Sequence, residues 1–153
     1  TDKYIIHNKS FFDSSKPQAD YLISNPPYLP AIDNKIHQPL LHGGIDGITL
    51  TKKLLSLDYQ NALLMVSSYS NPEGLIDYAI TKGYYVANFV ITPLEFGYYS
   101  SEPKVRSRIE ELRRNNMAFY SENIYLLAGV LFTKQEKSKV NLSTELLKLI
   151  TAL

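Results

Sequence analysis

Residues 20–28 read DYLISNPPY, an apolar run that passes directly into a polar, proline-rich turn. Continuous apolar runs of this length, without alternation, are typical of buried strands in parallel sheets. Open parallel sheets bind ligands beyond the carboxyl ends of their strands. The segment therefore predicts a buried strand and, at residues 25–28, a binding site where that strand ends.

Further apolar runs alternate with helical periodicity along the rest of the chain. The predicted strands are 4–7, 19–24, 62–67, 84–91 and 124–132, and the predicted helices are 47–57, 72–82, 104–117 and 141–153. This alternation predicts an α/β fold whose central strands are parallel. The proline- and glycine-rich stretch between residues 26 and 47 is long for a loop, and long loops in compact domains are usually functional.

Composition excludes several classes of protein. The 153 residues are 44% hydrophobic and 20% charged, as in a single packed domain. The formal net charge of +1 provides no global field for nucleic acid or an anionic membrane. The absence of cysteine excludes disulfides, thiolate metal sites and a cysteine nucleophile.

Three histidines, His7, His37 and His42, do not have the spacing of metal ligands, so we expect no metal site. No apolar run reaches the roughly 18 residues that a membrane span needs, and the start of the sequence lacks the apolar region of a signal peptide. We therefore expect a cytoplasmic protein with no membrane partner.

Two motifs carry a family resemblance. Residues 25–28, NPPY, resemble motif IV of class I S-adenosylmethionine-dependent methyltransferases that modify a nitrogen attached to a planar system. Residues 42–47, HGGIDG, follow at the distance at which HemK-type glutamine methyltransferases and their archaeal and eukaryotic relatives carry Gly-Gly-x-Asp-Gly. Residues 127–132, LAGVLF, resemble the final strand of that family. Together the motifs favour a protein glutamine amide over adenine as the methyl acceptor.

The resemblance implies a chemistry for the residue types. The side-chain oxygen of Asn25 and the carbonyl of Pro26 would accept the two protons of an amide or amino group and orient its nitrogen. The two prolines fix the direction of that carbonyl, and Tyr28 offers a flat face. The implied roles are catalytic for Asn25, Pro26 and Tyr28, S-adenosylmethionine-binding for Ser10, Phe11 and Asn25, and substrate-binding for Pro27, Tyr28, Gly44 and Asp46.

The resemblance matches only the later half of a class I domain. Such domains begin with a strand and a glycine-rich cofactor turn, whereas no glycine precedes Gly43 here. We therefore expect a Rossmann-like methyltransferase sheet, N-terminally truncated and with an antiparallel last strand, over 1–135, followed by a linker and a C-terminal helix over 136–153. The missing part would precede residue 1 or come from a partner subunit, such as the small activating partner of the archaeal and eukaryotic branch.

A glutamine methyltransferase would have as its partner a protein of the release-factor or ribosomal type. Two alternatives to this interpretation stay open. The first is adenine-N6 methylation of DNA or RNA, for which the basic residues of 102–114 would contact phosphates and the tyrosines near 96–99 would stack on a base. A solvated amphipathic helix and core packing explain those residues at least as well. The second is a catalytically inactive methyltransferase-like fragment.

Overall fold

The computed structural model describes residues 3–134, 136 and 140–153, and the elements named below lie within them. The strands are β1 (Tyr21–Ser24), β2 (Asn61–Ser67), β3 (Tyr84–Glu95), β4 (Tyr120–Ser121) and β5 (Ile124–Lys134). The α-helices are α1 (Thr49–Leu55), α2 (Pro72–Thr81), α3 (Pro103–Arg114) and α4 (Ser143–Ile150), and single 3-10 turns lie at Phe11–Asp13 and Pro39–Leu41. The predicted α/β class is confirmed.

The strands form one open, mixed sheet in the order β1-β2-β5-β3, and the short β4 pairs with β5. β1 and β2 are parallel, whereas β5 is antiparallel to both of its long neighbours, β2 and β3. β1, β2 and β3 therefore run in one direction, so their carboxyl ends point to the same edge of the sheet. The predicted antiparallel last strand is confirmed. The prediction of parallel central strands is wrong for the middle of the sheet, because β5 lies between β2 and β3 and is antiparallel to both.

Two hydrophobic cores cover the sheet. In the first, Leu64 and its neighbours on one face of the sheet pack against α1, α2 and α4, for example against Leu55 and Ile76. In the second, Tyr69 packs with Ile109 of α3 and with the loop that follows β1. Because side chains alternate along a strand, Met65, which packs against the second core, lies on the opposite face from Leu64. The second core therefore holds the segment after β1 in place.

The predicted strand at 4–7 is wrong. Tyr4, Ile5 and Ile6 are 75, 82 and 81% exposed and lie in irregular backbone. A strand requires a neighbour for its backbone hydrogen bonds, and in the described part of the chain the sheet ends at β1.

Several predicted boundaries also differ from the structure. The predicted strand at 19–24 begins only at residue 21, and β3 continues four residues beyond its predicted end at 91. The predicted helix at 47–57 is shorter because Gly47 has a positive φ of 86° and lies outside it. β5 ends at Lys134, just before the predicted boundary between residues 135 and 136, and most of the predicted linker, residues 137–139, lies outside the described residues, as does residue 135. Within those that are described, no helix has the length and apolar character that crossing a bilayer requires.

Candidate functional site

The site lies where β1 ends. Ser24 is the last residue of the strand, and Asn25 follows it with an exposed side chain, whereas Pro26 is buried. Among the described residues, the Asn25 side chain has no hydrogen-bond partner and the Pro26 carbonyl accepts no hydrogen bond. Two uncharged oxygens on consecutive residues therefore have no hydrogen-bond partner within the described part of the protein.

Cavities lie on both sides of this segment, and Asn25, Pro26 and Pro27 line both of them. The aromatic cavity, about 460 Å³, is named after five of its lining residues: Tyr28, Tyr69, Tyr98, Tyr99 and Tyr125. The N-terminal cavity, about 450 Å³, is lined on its other sides by residues before β1 and by α1: Ser10, Phe11, Phe12, Leu50 and Leu54. The free oxygens are therefore between two hollows, each large enough for part of a ligand.

The N-terminal cavity brings together the three residues predicted to bind a cofactor, Ser10, Phe11 and Asn25. The rings of Phe11 and Phe12 meet edge to face, with centroids 5.9 Å apart, in the 3-10 turn before β1. Aromatic and apolar walls suit a flat heteroaromatic ring. No carboxylate lines this cavity, so its described walls suit a ring better than a sugar with hydroxyl groups.

The wall of the aromatic cavity beside the motif consists of uncharged tyrosine rings that are tilted against one another. The ring of Tyr28 lies 5.9 Å from that of Tyr69, which in turn lies 4.7 Å from that of Tyr125. Burial raises the pKa of the Tyr28 hydroxyl far above its usual value, and the neighbouring Tyr125 adds to this effect. Burial also raises the pKa of Tyr69. The Tyr28 and Tyr69 phenols therefore stay neutral at physiological pH and do not act as bases.

The HGGIDG segment supports the backbone of the motif. A side chain on Gly43 would come within 2.7 Å of the Tyr28 Cα atom, and one on Gly47 within 2.6 Å of the Tyr28 carbonyl oxygen. Gly43 N–H also donates to the Leu29 carbonyl, at 2.9 Å. Only glycine allows this close approach, so the two segments act as one unit.

Gly44 and Asp46 line neither cavity. The Asp46 carboxylate accepts a hydrogen bond from the Asn71 side chain at 2.8 Å, and Asn71 caps α2 by accepting from Gly74 N–H at 3.1 Å. Asp46 therefore anchors the loop to the start of α2. Asn25, Pro26, Pro27 and Tyr28 all line the aromatic cavity, as the prediction of one site requires, whereas Gly44 and Asp46 lie outside both cavities.

Several site residues were not predicted from the sequence. The buried Ser70 donates a hydrogen bond to the Tyr28 carbonyl at 2.7 Å, and Tyr69 and Tyr125 form much of the cavity wall. The one available signal is that Tyr69 and Ser70 follow β2 at the sheet edge where the motif also lies. Tyr125 and Glu95 come from the distant strands β5 and β3, and no local pattern identifies them.

Two arginines of α3, Arg106 and Arg108, are engaged by the protein itself. The Arg106 guanidinium lies 4.0 Å from the ring centroid of Phe96 and 4.6 Å from that of Tyr120. Arg108 donates to the Ile45 carbonyl at 2.8 Å. These contacts tie α3 to the rings of Phe96 and Tyr120 and to the loop that contains Ile45. The two guanidinium groups are therefore less free to bind phosphates. No group of three or more potential metal ligands occurs among the described residues.

No family model, curated protein or solved structure matches the chain. The function of the chain is therefore inferred from its own residues and from their geometry.

Proposed function

We propose that this chain is the later half of a Rossmann-like, S-adenosylmethionine-dependent N-methyltransferase and that its acceptor is a glutamine side chain of a protein of the release-factor or ribosomal type. The observation that carries the proposal is the pair of free oxygens, on Asn25 and Pro26, between two cavities. One cavity would receive the acceptor amide and the other the adenine end of the cofactor.

The acceptor nitrogen determines what the chain has to do. An amide nitrogen is a poor nucleophile because its lone pair is delocalised, so it must be oriented. Asn25 Oδ1 and the Pro26 carbonyl would each accept one N–H of the acceptor and hold its nitrogen toward the N-terminal cavity. As positive charge develops on that nitrogen, the two oxygen dipoles stabilise it without a strong base. Tyr28 packs beside the amide as a neutral surface.

The cofactor fits only in part. S-adenosylmethionine, when bound, would supply an electrophilic methyl group whose bond to the sulfonium sulfur breaks; the cofactor would leave as a neutral thioether, and the methylated nitrogen would lose one proton to water. Ser10, Phe11 and Phe12 would hold its adenine ring, whereas the described residues around this cavity include no carboxylate for the ribose hydroxyls. A preceding segment or a partner subunit would complete the site.

Glutamine is favoured over adenine by the electrostatics of the site. Among the described residues that line the aromatic cavity, Glu95 is the only one with a formal charge, and that charge is negative, so the lining offers no positive charge to a phosphate group. Arg106 and Arg108 are engaged in internal contacts. A polyanion therefore finds little positive charge at this entrance.

The test is methyl transfer from labelled S-adenosylmethionine to glutamine peptides, with the product located by mass spectrometry. We expect Asn25→Ala to lower the rate by at least about 100-fold, the size of effect seen when one oriented polar group is removed from a transition-state site. Asn34→Ala is the matched control because Asn34 is an exposed residue of the following loop that lines neither cavity. Methylation at the wild-type rate in Asn25→Ala would contradict the mechanism.

An inactive or incomplete module is the second candidate, and the missing carboxylate of the N-terminal cavity favours it. Isothermal titration with S-adenosylmethionine separates the two candidates. Binding at micromolar strength supports a functional site, whereas no binding up to millimolar concentration supports a module that another segment completes.

A further inference from the structure

Three phenols meet in the aromatic cavity beside the motif. Tyr28, Tyr69 and Tyr125 line the cavity together, and Tyr69 and Tyr125 are only 1% and 7% exposed. Side chains alternate along β5, and Tyr125 and Leu127 both pack in the second core with Tyr69. The Tyr125 side chain therefore lies on the same face of the sheet as Tyr69 and the motif.

The hydroxyl of Tyr125 lies close to the other two. Burial is the main cause of the raised pKa of Tyr28 and of Tyr69, and hydrogen bonding to Tyr125 raises both pKa values further. A hydrogen bond that a phenol donates stabilises its protonated form, so both phenols act as donors toward the Tyr125 oxygen. The proton of Tyr125 itself takes no part in these contacts.

The spare Tyr125 proton faces the cavity. Within the described part of the chain, no carbonyl, carboxylate or amide oxygen accepts a hydrogen bond from Tyr125. Its contacts with the other two hydroxyls are weak, without the geometry of full hydrogen bonds, yet no enclosed side-chain oxygen among these residues lacks a partner. The Tyr125 oxygen is therefore not enclosed, and it is open to the cavity that its residue lines.

The polar groups of the cavity match one chemical class. A primary carboxamide has two N–H donors and one carbonyl acceptor, whereas a carboxylate has only acceptors and an ammonium group only donors. Asn25 and Pro26 provide two acceptors at this cavity, and Tyr125 provides one donor. This combination suits a carboxamide better than either charged group.

We propose that the Tyr125 hydroxyl donates a hydrogen bond to the carbonyl oxygen of the acceptor amide and makes the site specific for a carboxamide. The inference rests on the proposed function because it takes the aromatic cavity as the acceptor side. A hydrogen bond to the carbonyl draws electron density away from the amide nitrogen, so Tyr125 binds and orients the amide but does not activate it. Tyr125→Phe should therefore raise KM by a larger factor than it lowers kcat.

The experiment measures binding separately from methyl transfer. Three fluorescently labelled peptides differ only at the acceptor position, which is glutamine, methionine sulfoxide or norleucine. The sulfoxide has an acceptor oxygen but no N–H, and norleucine has neither. Fluorescence anisotropy gives the dissociation constants for the wild-type chain, for Tyr125→Phe and for Tyr120→Phe. Tyr120 is the matched control because it is 5% exposed, pairs with Tyr125 in the sheet and lines neither cavity.

We expect the wild type and Tyr120→Phe to bind the sulfoxide peptide about 3- to 10-fold more tightly than the norleucine peptide, the effect of one neutral hydrogen bond. In Tyr125→Phe this ratio should fall to about one while the affinity for the norleucine peptide is unchanged. The preference for glutamine over norleucine should decrease in Tyr125→Phe but persist, because Asn25 and Pro26 still bind the N–H groups.

Three results would overturn the inference: an unchanged sulfoxide ratio in Tyr125→Phe, equal weakening of all three peptides in that variant, or no preference for the sulfoxide peptide in the wild type. Methyl transfer by the wild type together with any of these would leave the proposed function standing. A sulfoxide preference that depends on Tyr125, without methyl transfer to the glutamine peptide, would contradict the proposed function and leave the Tyr125 contact standing.

Discussion

Gly47→Ala tests whether the HGGIDG segment and the Asn-Pro-Pro-Tyr segment act as one unit. Gly47 has a φ of 86°, where an alanine costs about 1–2 kcal/mol. Its added Cβ would also lie 2.6 Å from the Tyr28 carbonyl oxygen and 2.8 Å from the Ser70 side chain. Overpacking of this kind costs typically about 1–3 kcal/mol. We therefore expect a total loss of about 2–5 kcal/mol in the free energy of unfolding.

Gly83→Ala is the matched control. Gly83 has nearly the same φ, 84°, but a Cβ there meets no atom within 4 Å. Both changes alter the entropy of the unfolded chain equally, so their difference isolates the collision with Tyr28 and Ser70. Urea unfolding followed by circular dichroism measures both variants, and we expect Gly47→Ala to be less stable than Gly83→Ala by about 1–3 kcal/mol. Equal losses would refute the close packing.

Two further predictions concern buried hydroxyl groups. Ser70→Ala should lower the free energy of unfolding by about 1–3 kcal/mol, because the Tyr28 carbonyl loses its donor; an unchanged urea midpoint would contradict this. Burial raises the pKa of Tyr84 to about 12 from 10.0, with a smaller effect from Asp58. The folded protein therefore binds the Tyr84 proton more tightly than the unfolded chain does. The contribution of this protonated phenol to the free energy of unfolding is fully present below pH 10 and is lost as the pH rises through about 12. Urea unfolding between pH 9 and 12 should show a shallower decline in Tyr84→Phe than in the wild type, and parallel declines would contradict the assignment.

Local sequence pattern was sufficient for much of the fold and for the centre of the site. Apolar runs predicted β1, β2, β3 and β5, and helical periodicity separated them. These patterns are local because a buried strand needs apolar residues at neighbouring positions and a helix needs them at every third or fourth position. The segment 25–28 was placed correctly after β1 because prolines end a strand and fix the following backbone. Its position at the carboxyl ends of parallel strands then followed from the α/β alternation.

Tertiary structure decided what depends on distant partners. The apolar residues at 4–6 have the composition of a strand but form none, because a strand needs a neighbour and β1 is the last strand of the described sheet. Asp46 was predicted to bind substrate, yet its carboxylate binds Asn71. Tyr125 and Glu95 reach the cavity only because β5 and β3 extend past the end of β2. The sequence thus determined the chemistry at the end of β1, whereas the walls around it depend on strand pairing between residues that are far apart in the chain.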